Sequence, residues 1–444
     1  MRFESSEARS RFAGGRSPSR ATCRGAGFDS ASRIRFPLRV AHESPSPSGS
    51  RHSDSTEVAG ELLARAKAMA SVVEGDAEEA EARRTLQPKT VEALREAKLL
   101  RGFLPVELGG YECDLSALVS VVAELSRQDG AAGWCFGMNA FITSICAAHL
   151  PDEGIEEIYQ AGGRDPSRVL MAGGFPPVGR AVREGEGWRV SGDFRFGSGI
   201  LHADYVVCTA LEIENDAPVM DGAIPLMRTF VVPRDQVRIE DNWYAAGLEG
   251  TGSCDYHLDD HWHPDSLSFV ASHSDPIRGR SLYSLPLLTV ANAPHCGFAL
   301  GVGRRALEEI RDLATSRLRL GSSAPVAERP AFQQSFGRVS TRFDAAEVLV
   351  NARASALQEA HRDGAVTLAH RAGFTAATTN AYESALEAAQ VAFRAAGGAA
   401  LYRSVRLQRC LRDIQAGCQH IVPSEESWER VAQVGLGLPD PPMI

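Results

Sequence analysis

Apolar positions along this chain change their period twice. From Thr56 to about Asp165 they recur every three to four residues, the spacing of amphipathic helices. Residues 58–83 are rich in Ala and Glu and nearly free of helix breakers. Pro88 opens a second helical segment with apolar positions at Val91, Leu94, Ala97 and Leu100. Proline suits a first helical turn because the N–H it lacks would be unpaired there anyway. Gly109 and Gly110 break the pattern, and Asp114 is placed to cap a helix over 115–127 with Leu118, Val121, Val122 and Leu125 on its core face. Residues 133–149 are almost uncharged and apolar nearly all round, which predicts a helix that is buried or lines a pocket.

Between about Val169 and Asp265 the period falls to two. Residues 188–196 alternate, Gly185 and Gly187 mark the turn before them, and 205–210 and 229–232 read as inner strands. From about Asp275 to Val434 the helical spacing returns in four long segments, 290–315, 328–361, 366–396 and 403–418. Long helices with short breaks predict a bundle. The fold class expected is α+β, mostly α, with a helical region over 57–165, a β-barrel or sandwich over 166–272 and a four-helix bundle over 273–444. This is not the strand–helix alternation of a dinucleotide fold. Gly297 and Gly301 fall inside a helical pattern, so a nucleotide is not expected to bind by a strand–loop–helix device.

Composition narrows the function classes. The 444 residues are 44% hydrophobic and 23% charged, enough for a large core without disulfide or metal staples. A net charge of −9 argues against a general nucleic-acid binder. No run of 18 apolar residues is present, so no membrane-spanning helix is expected. Nine cysteines lie at irregular spacing without a CxxC pair, which suggests neither a disulfide framework nor a zinc site and makes a reducing cytoplasm the simplest compartment. Residues 1–56 hold ten arginines and thirteen serines against five acids. They read as a disordered extension, with a transit peptide or an interaction arm as the alternatives, and the fold is expected to start after them.

Several residues could carry chemistry. His420 follows a helical pattern just before Pro423; an imidazole there suits proton transfer or simply caps carbonyls. Ser198 and Gly199 lie in a Gly-rich turn at a strand end, where backbone could approach a planar ligand, or where an ordinary hairpin turns. Ser198, His202 and Asp204 sit too close in sequence for hydrolase-triad geometry. His257, Asp259, His261 and His263 would share one strand face, but their spacing matches no established metal motif, and no metal is expected. Trp134 and Asn139, in the uncharged helix, are candidates for the wall of an aromatic pocket. Asp413 with Arg409 and Arg412 reads as a surface or interhelix ion pair.

Taken in order, four pieces resemble the acyl-CoA dehydrogenase superfamily, in its two-component flavin-dependent monooxygenase branch. Leu104-Pro105-Val106-Glu107-Leu108-Gly109-Gly110 resembles an N-terminal P-x-x-x-G-G turn. Residues 191–205, with Ser191-Gly192, Phe196, Ser198-Gly199 and His202-Ala203-Asp204, resemble S-G-x-W-x-F-x-S-G-x-x-H-A-D-W. Trp243 through Gly247 to Gly250-Thr251-Gly252-Ser253 resembles W-x-x-x-G-x-x-G-T-G-S, and residues 407–420 resemble L-Q-R-x-x-R-D-I-x-x-x-x-x-H. The resemblance covers about residues 57–437 and implies the same three-part architecture. It also implies a homotetramer whose neighbouring subunits complete a flavin site between the β region and the bundle. Ser198 and Gly199 would lie against the isoalloxazine, with Ser253 on the matching strand. Arg317 or Arg319, with Gln333 or Gln334, would reach a flavin phosphate, and Gly397 and Gly398 would let it approach the bundle.

His420 decides the branch. Acyl-CoA dehydrogenases place a carboxylate base after the R-D motif; here that stretch reads Cys418-Gln419-His420-Ile421-Val422-Pro423. The implied enzyme takes FMNH2 or FADH2 from a separate NAD(P)H:flavin reductase, reacts it with O2 to a shielded C4a-hydroperoxide and oxygenates an aromatic, phenolic or polyketide-like molecule. His420 would be its acid/base and Ser198 the flavin partner. Phe194 and Tyr205 replace two tryptophans of the pattern. Asn139 stands where some phenol hydroxylases carry a His, which argues against a simple phenol. The rival readings are an acyl-CoA dehydrogenase with its base moved to another helix, and a flavin-free binding protein of the same fold.

Overall fold

Gly130–His149 forms one helix, and nineteen of its twenty residues are buried. By length and composition it could cross a membrane, yet 94% of its apolar window lies inside the fold. The computed structural model describes residues 49–160, 163–271, 275–279, 281–316, 318 and 323–439. The helices before the sheet are α1 (Gly49–Ala68), α2 (Ala70–Arg83), α3 (Pro88–Glu96), α4 (Leu115–Gln128), α5 (Gly130–His149) and α6 (Asp152–Ile155).

Several expectations shift here. Helix α1 reaches back into the 1–56 segment expected to lie outside the fold; once Leu62 and Ala66 are buried, each added residue extends the helix by one hydrogen bond. The helix expected over 58–83 is divided at Met69, which is buried. The segment from Pro88 stops early because Lys98 adopts φ 52°, and a 3-10 turn over Leu99–Gly102 then buries Leu99 and Leu100. Asp114 occupies the N-cap position of α4 without a side-chain cap bond, whereas Asp129 does cap α5, accepting the Ala132 N–H at 3.0 Å.

The strands are β1 (Met171–Glu184), β2 (Gly187–Gly197), β3 (Tyr205–Glu214), β4 (Ala217–Pro218), β5 (Met220–Asp221), β6 (Ile224–Pro225), β7 (Met227–Pro233), β8 (Arg238–Ile239), β9 (Cys254–Pro264) and β10 (Ser268–Val270). The main sheet runs β10-β7-β3-β1-β2-β9-β8, with β4 on β3. Only the β1–β3 pair among these is parallel. One face buries Trp188, Val190, Phe194, Phe230, Val232 and Tyr256.

The pairing of β2 with β9 slips between Val190–His261 and Gly192–Leu258, and Asp260 takes φ 50°. This bulge moves the buried set from even to odd positions: Cys254, Tyr256 and Leu258 point inward before it, and His263 after it. The four polar residues expected on one strand face are thereby separated. His257 instead contacts Asp193 (2.5 Å) and Glu240 (3.0 Å), and His263 is buried against the Leu267 carbonyl.

The chain ends in α7 (Leu287–Ser316), α8 (Pro330–Arg362), α9 (Leu368–Ala396), α10 (Arg406–Gly417) and α11 (Glu425–Gly435). Helix α11 lies beyond the four helices expected. Helix α4 joins the bundle by crossing α7 at a seam of small residues. A Cβ on Gly297 would sit 2.7 Å from the Val119 carbonyl oxygen, and one on Gly301 2.3 Å from that of Ala123. The glycines of α7 therefore serve helix packing. The eight described cysteines are thiols, seven of them buried.

Candidate active site

Strand β2 ends in a turn that the backbone strains to make: Phe196 adopts φ 61° and Gly199 φ 76°. A Cβ on Gly199 would meet Asn139 Oδ1 at 2.7 Å and His202 Nε2 at 2.9 Å, so the position requires glycine. Helix α5 holds the turn by two donors. Asn139 Nδ2 donates to the Ser198 carbonyl at 3.0 Å, and Trp134 Nε1 donates to Ser198 Oγ at 3.0 Å. Ser198 is buried.

The loop before β9 meets this turn from the other side. Ser253 Oγ lies 2.8 Å from Ser198 Oγ and 2.7 Å from Thr251 Oγ1. Thr251 Oγ1 donates to the Leu248 carbonyl at 2.8 Å, and Gly199 N–H donates to the Thr251 carbonyl at 2.9 Å. The loop is anchored to α10, since Asp413 accepts the Leu248 N–H at 2.7 Å. Asp413 is buried and lies neither on the surface nor in an ion pair among the described residues, because Arg409 and Arg412 turn to other acids. Arg409 reaches Glu81 at 3.3 Å and Asp129 at 3.8 Å, while Arg412 pairs with Glu249 at 2.5 Å and with Glu81. Burial, reinforced by the charge of Asp129, pushes the Asp413 carboxyl up to about 7.

Two imidazoles complete the cluster. His420 follows α10 and lies edge-on to Trp134, with ring centroids 5.9 Å apart. His295, on α7, packs 4.2 Å from His420 and 5.2 Å from Trp134, and its Nδ1 meets the Tyr382 hydroxyl at 2.8 Å. Phe298 closes on Trp134 at 4.9 Å. Burial lowers His420 to about 4; burial, then the neighbouring His420, holds His295 well below the usual imidazole value. Val422 N–H donates to His420 Nδ1 at 3.2 Å, so the neutral ring carries its proton on Nε2.

The structure thus brings together Trp134, Asn139, Ser198, Gly199, Ser253 and His420. Gly397 and Gly398 stand elsewhere, lining a cleft of about 540 Å³ with Ile310, Leu313, Val326 and Arg394. Gln333 donates to the Ala327 carbonyl, beside Val326 of that cleft. Arg317 and Arg319 lie outside the described residues. Asp204 pairs with Arg95 and the Leu170 N–H, away from any triad with Ser198. His295, Tyr382, Phe298 and Thr251 were not anticipated. The signal available for His295 was a titratable residue inside an otherwise uncharged helical run.

The cluster fits a planar, polar cofactor. His295 Nε2 and both His202 ring nitrogens are buried without a hydrogen-bond partner among the described residues. Buried polar atoms are rarely left unpaired, so these point to a ligand.

Comparison with known proteins agrees. The family model "Acyl-CoA dehydrogenase, N-terminal domain" matches residues 61–159, and "Acyl-CoA dehydrogenase, C-terminal domain" matches 293–425. Indole-3-acetate monooxygenase of Pseudomonas putida is 28% identical over 363 residues, covering 80% of this chain and 88% of the relative. The oxygenase component of an FADH(2)-dependent resorcinol hydroxylase from a Rhizobium species is 28% identical over 389 residues, covering 83% and 91%. Among solved structures, XiaF from Streptomyces in complex with FADH2 and glycerol superposes with a TM-score of 0.78 at 25% identity, covering 87% of this chain and 98% of that one. The chain belongs to the acyl-CoA dehydrogenase family. Within that family it stands in the flavin-dependent monooxygenase branch.

Proposed function

We propose that this protein is the oxygenase component of a two-component monooxygenase, acting on an aromatic small molecule with FMNH2 or FADH2 from a separate NAD(P)H:flavin reductase. The observation that carries the reading is the position of His420: an imidazole, where a dehydrogenase needs a carboxylate base, packs edge-on to Trp134, whose N–H holds Ser198. When bound, the reduced flavin supplies the electron pair that activates O2. One substrate C–H, one O2 and one dihydroflavin enter; one hydroxylated product, one water and one oxidised flavin leave.

Ser198, Gly199 and Ser253 form the flavin-side wall, and the burial of Ser198 and Ser253 excludes water from it. Trp134, edge-on to His420, stands between the turn and the two imidazoles. Asn139 spends its amide N–H on the turn backbone and so shapes the pocket. His420 presents Nε2–H as a donor; accepting a proton from a phenolic substrate requires the other tautomer, with the Val422 N–H released. The cleft at Gly397 and Gly398, with Gln333 and Arg317 or Arg319, would take the flavin phosphate of a neighbouring subunit. A homotetramer is supported by exposed apolar side chains on the bundle, Val348 (68%), Leu401 (73%) and Tyr402 (69%). The thiol state of the described cysteines fits a cytoplasmic enzyme.

The test is anaerobic loading with FMNH2 or FADH2, mixing with oxygenated buffer, and product analysis over a panel of phenols and indoles. A long-lived absorbance transient before oxidised flavin returns, followed by hydroxylated product, is expected. Prompt reoxidation without a transient, together with reduction of the oxidised holoprotein by an acyl-CoA, would replace this reading with a dehydrogenase.

A further inference from the structure

The three hydroxyls at the flavin-side wall have only one consistent proton arrangement. A carbonyl oxygen carries no proton, so the 2.8 Å contact between Thr251 Oγ1 and the Leu248 carbonyl is a hydrogen bond only if Thr251 donates. Its single proton is then spent. The 2.7 Å contact from Ser253 to Thr251 must be filled by the Ser253 proton, and the 2.8 Å contact from Ser198 to Ser253 by the Ser198 proton. Three contacts use three protons. Trp134 Nε1–H already donates to Ser198 Oγ at 3.0 Å. Ser198 therefore has no proton left for a ligand and one lone pair to offer it.

The chain is buried along its length: Thr251 0%, Ser253 4% and Ser198 9% exposed. Reversing it would leave two oxygens 2.8 Å apart with no proton between them, out of reach of bulk water. Its far end is pinned as well, because the Leu248 peptide is held through its N–H by Asp413 and its carbonyl also accepts from Trp243 Nε1 at 3.0 Å.

We propose that Thr251 and Ser253 make Ser198 an obligate hydrogen-bond acceptor toward the cofactor and thereby bias the site to the reduced flavin. This rests on the flavin reading above. A dihydroflavin ring carries N–H groups where the oxidised ring carries bare nitrogen lone pairs. An acceptor-only Ser198 pairs with the first and opposes the second. Thr251 and Ser253 are positioning residues: they act by setting which way the Ser198 hydroxyl points.

The test measures anaerobic binding of oxidised and dithionite-reduced FMN and FAD to the full-length protein, and compares the ratio of the two dissociation constants. In Thr251→Val, Ser253 loses its acceptor, its proton can turn to Ser198, and Ser198 is freed to donate outward. In Ser253→Ala the Ser198 proton is freed directly. Each variant should lower the preference for the reduced form by about tenfold. That corresponds to a fall of about 30 mV in the two-electron midpoint potential of the bound flavin. Thr251→Ser, which keeps the hydroxyl, should restore the wild-type ratio. Should Thr251→Val not fold, Ser253→Ala carries the test alone. Flavin binding with an unchanged ratio in the folded variants would overturn the proposal while leaving the flavin reading intact. No binding of either redox form by the wild type would overturn both.

Discussion

The imidazole rings of His295 and His420 stand 4.2 Å apart and tilted by 37°, His295 fully buried and His420 half-buried, and burial favours the neutral form of each at pH 7. Unfolding would let each titrate near its ordinary value of about 6.5. Their folded values lie below that, so their contribution to stability is present above about pH 6.5 and is lost as the pH falls toward 4. His295→Phe keeps a ring in place and removes one of these protons. The variant should show a shallower loss of stability across this window, by up to about 1.4 kcal/mol per pH unit. Urea unfolding at several pH values between 4.5 and 7 reads it. An identical slope would mean that His295 is charged in the native state.

His420 separates binding from chemistry. Its removal in His420→Ala leaves the Ser198 wall untouched, so reduced-flavin affinity should stay within about twofold while hydroxylation falls by about 100-fold. Single-turnover product yield with the best substrate of the phenol and indole panel, set beside the flavin dissociation constant, is the measurement. Equal losses in both would make His420 a structural residue.

Asp413 titrates in the opposite sense. Burial and the nearby Asp129 raise its folded value to about 7, against about 3.9 unfolded. Stability from this group is full at low pH and is lost as the pH rises through about 7. Asp413→Asn mimics the protonated carboxyl and still accepts the Leu248 N–H. The variant should gain on the wild type by roughly 3 kcal/mol between pH 5 and pH 8. A constant difference across that range would show that Asp413 is ionised throughout.

The α4–α7 seam makes a prediction by contrast. Gly301→Ala puts a methyl group 2.3 Å from the backbone oxygen of Ala123 and should cost about 3 kcal/mol. Gly75→Ala, in α2 with nothing within 4 Å, should gain about 0.5–1 kcal/mol. Denaturant midpoints of the two variants should move in opposite directions.

The α5, α7, α8 and α9 helices were legible because their apolar spacing, length and breakers agree. The bulge at Asp260 was not, because an inserted residue leaves the composition of a strand unchanged while reversing its faces. His420 stood out by its place after the R-D motif. His295 did not, since its neighbours read as core and its role depends on α10 folding back onto α7. The hydroxyl chain was half visible: Ser198 and Ser253 lie in recognisable turns, but that Thr251 directs them is a matter of distances. Asp114 looked like a helix cap and makes no cap bond, which shows how weakly a single polar residue determines a local contact.

The crossing of α4 on α7 also bears on how the protein is made. Helix α4 leaves the ribosome about 160 residues before α7, a wait of roughly 10–30 s at ordinary synthesis rates. Through that interval Val119 and Val122 of α4 lack the glycine face they will cover. The nascent chain carries an apolar stripe that only its own distant C-terminal half can shield. Cells producing this protein must keep that stripe from other nascent chains until the bundle arrives.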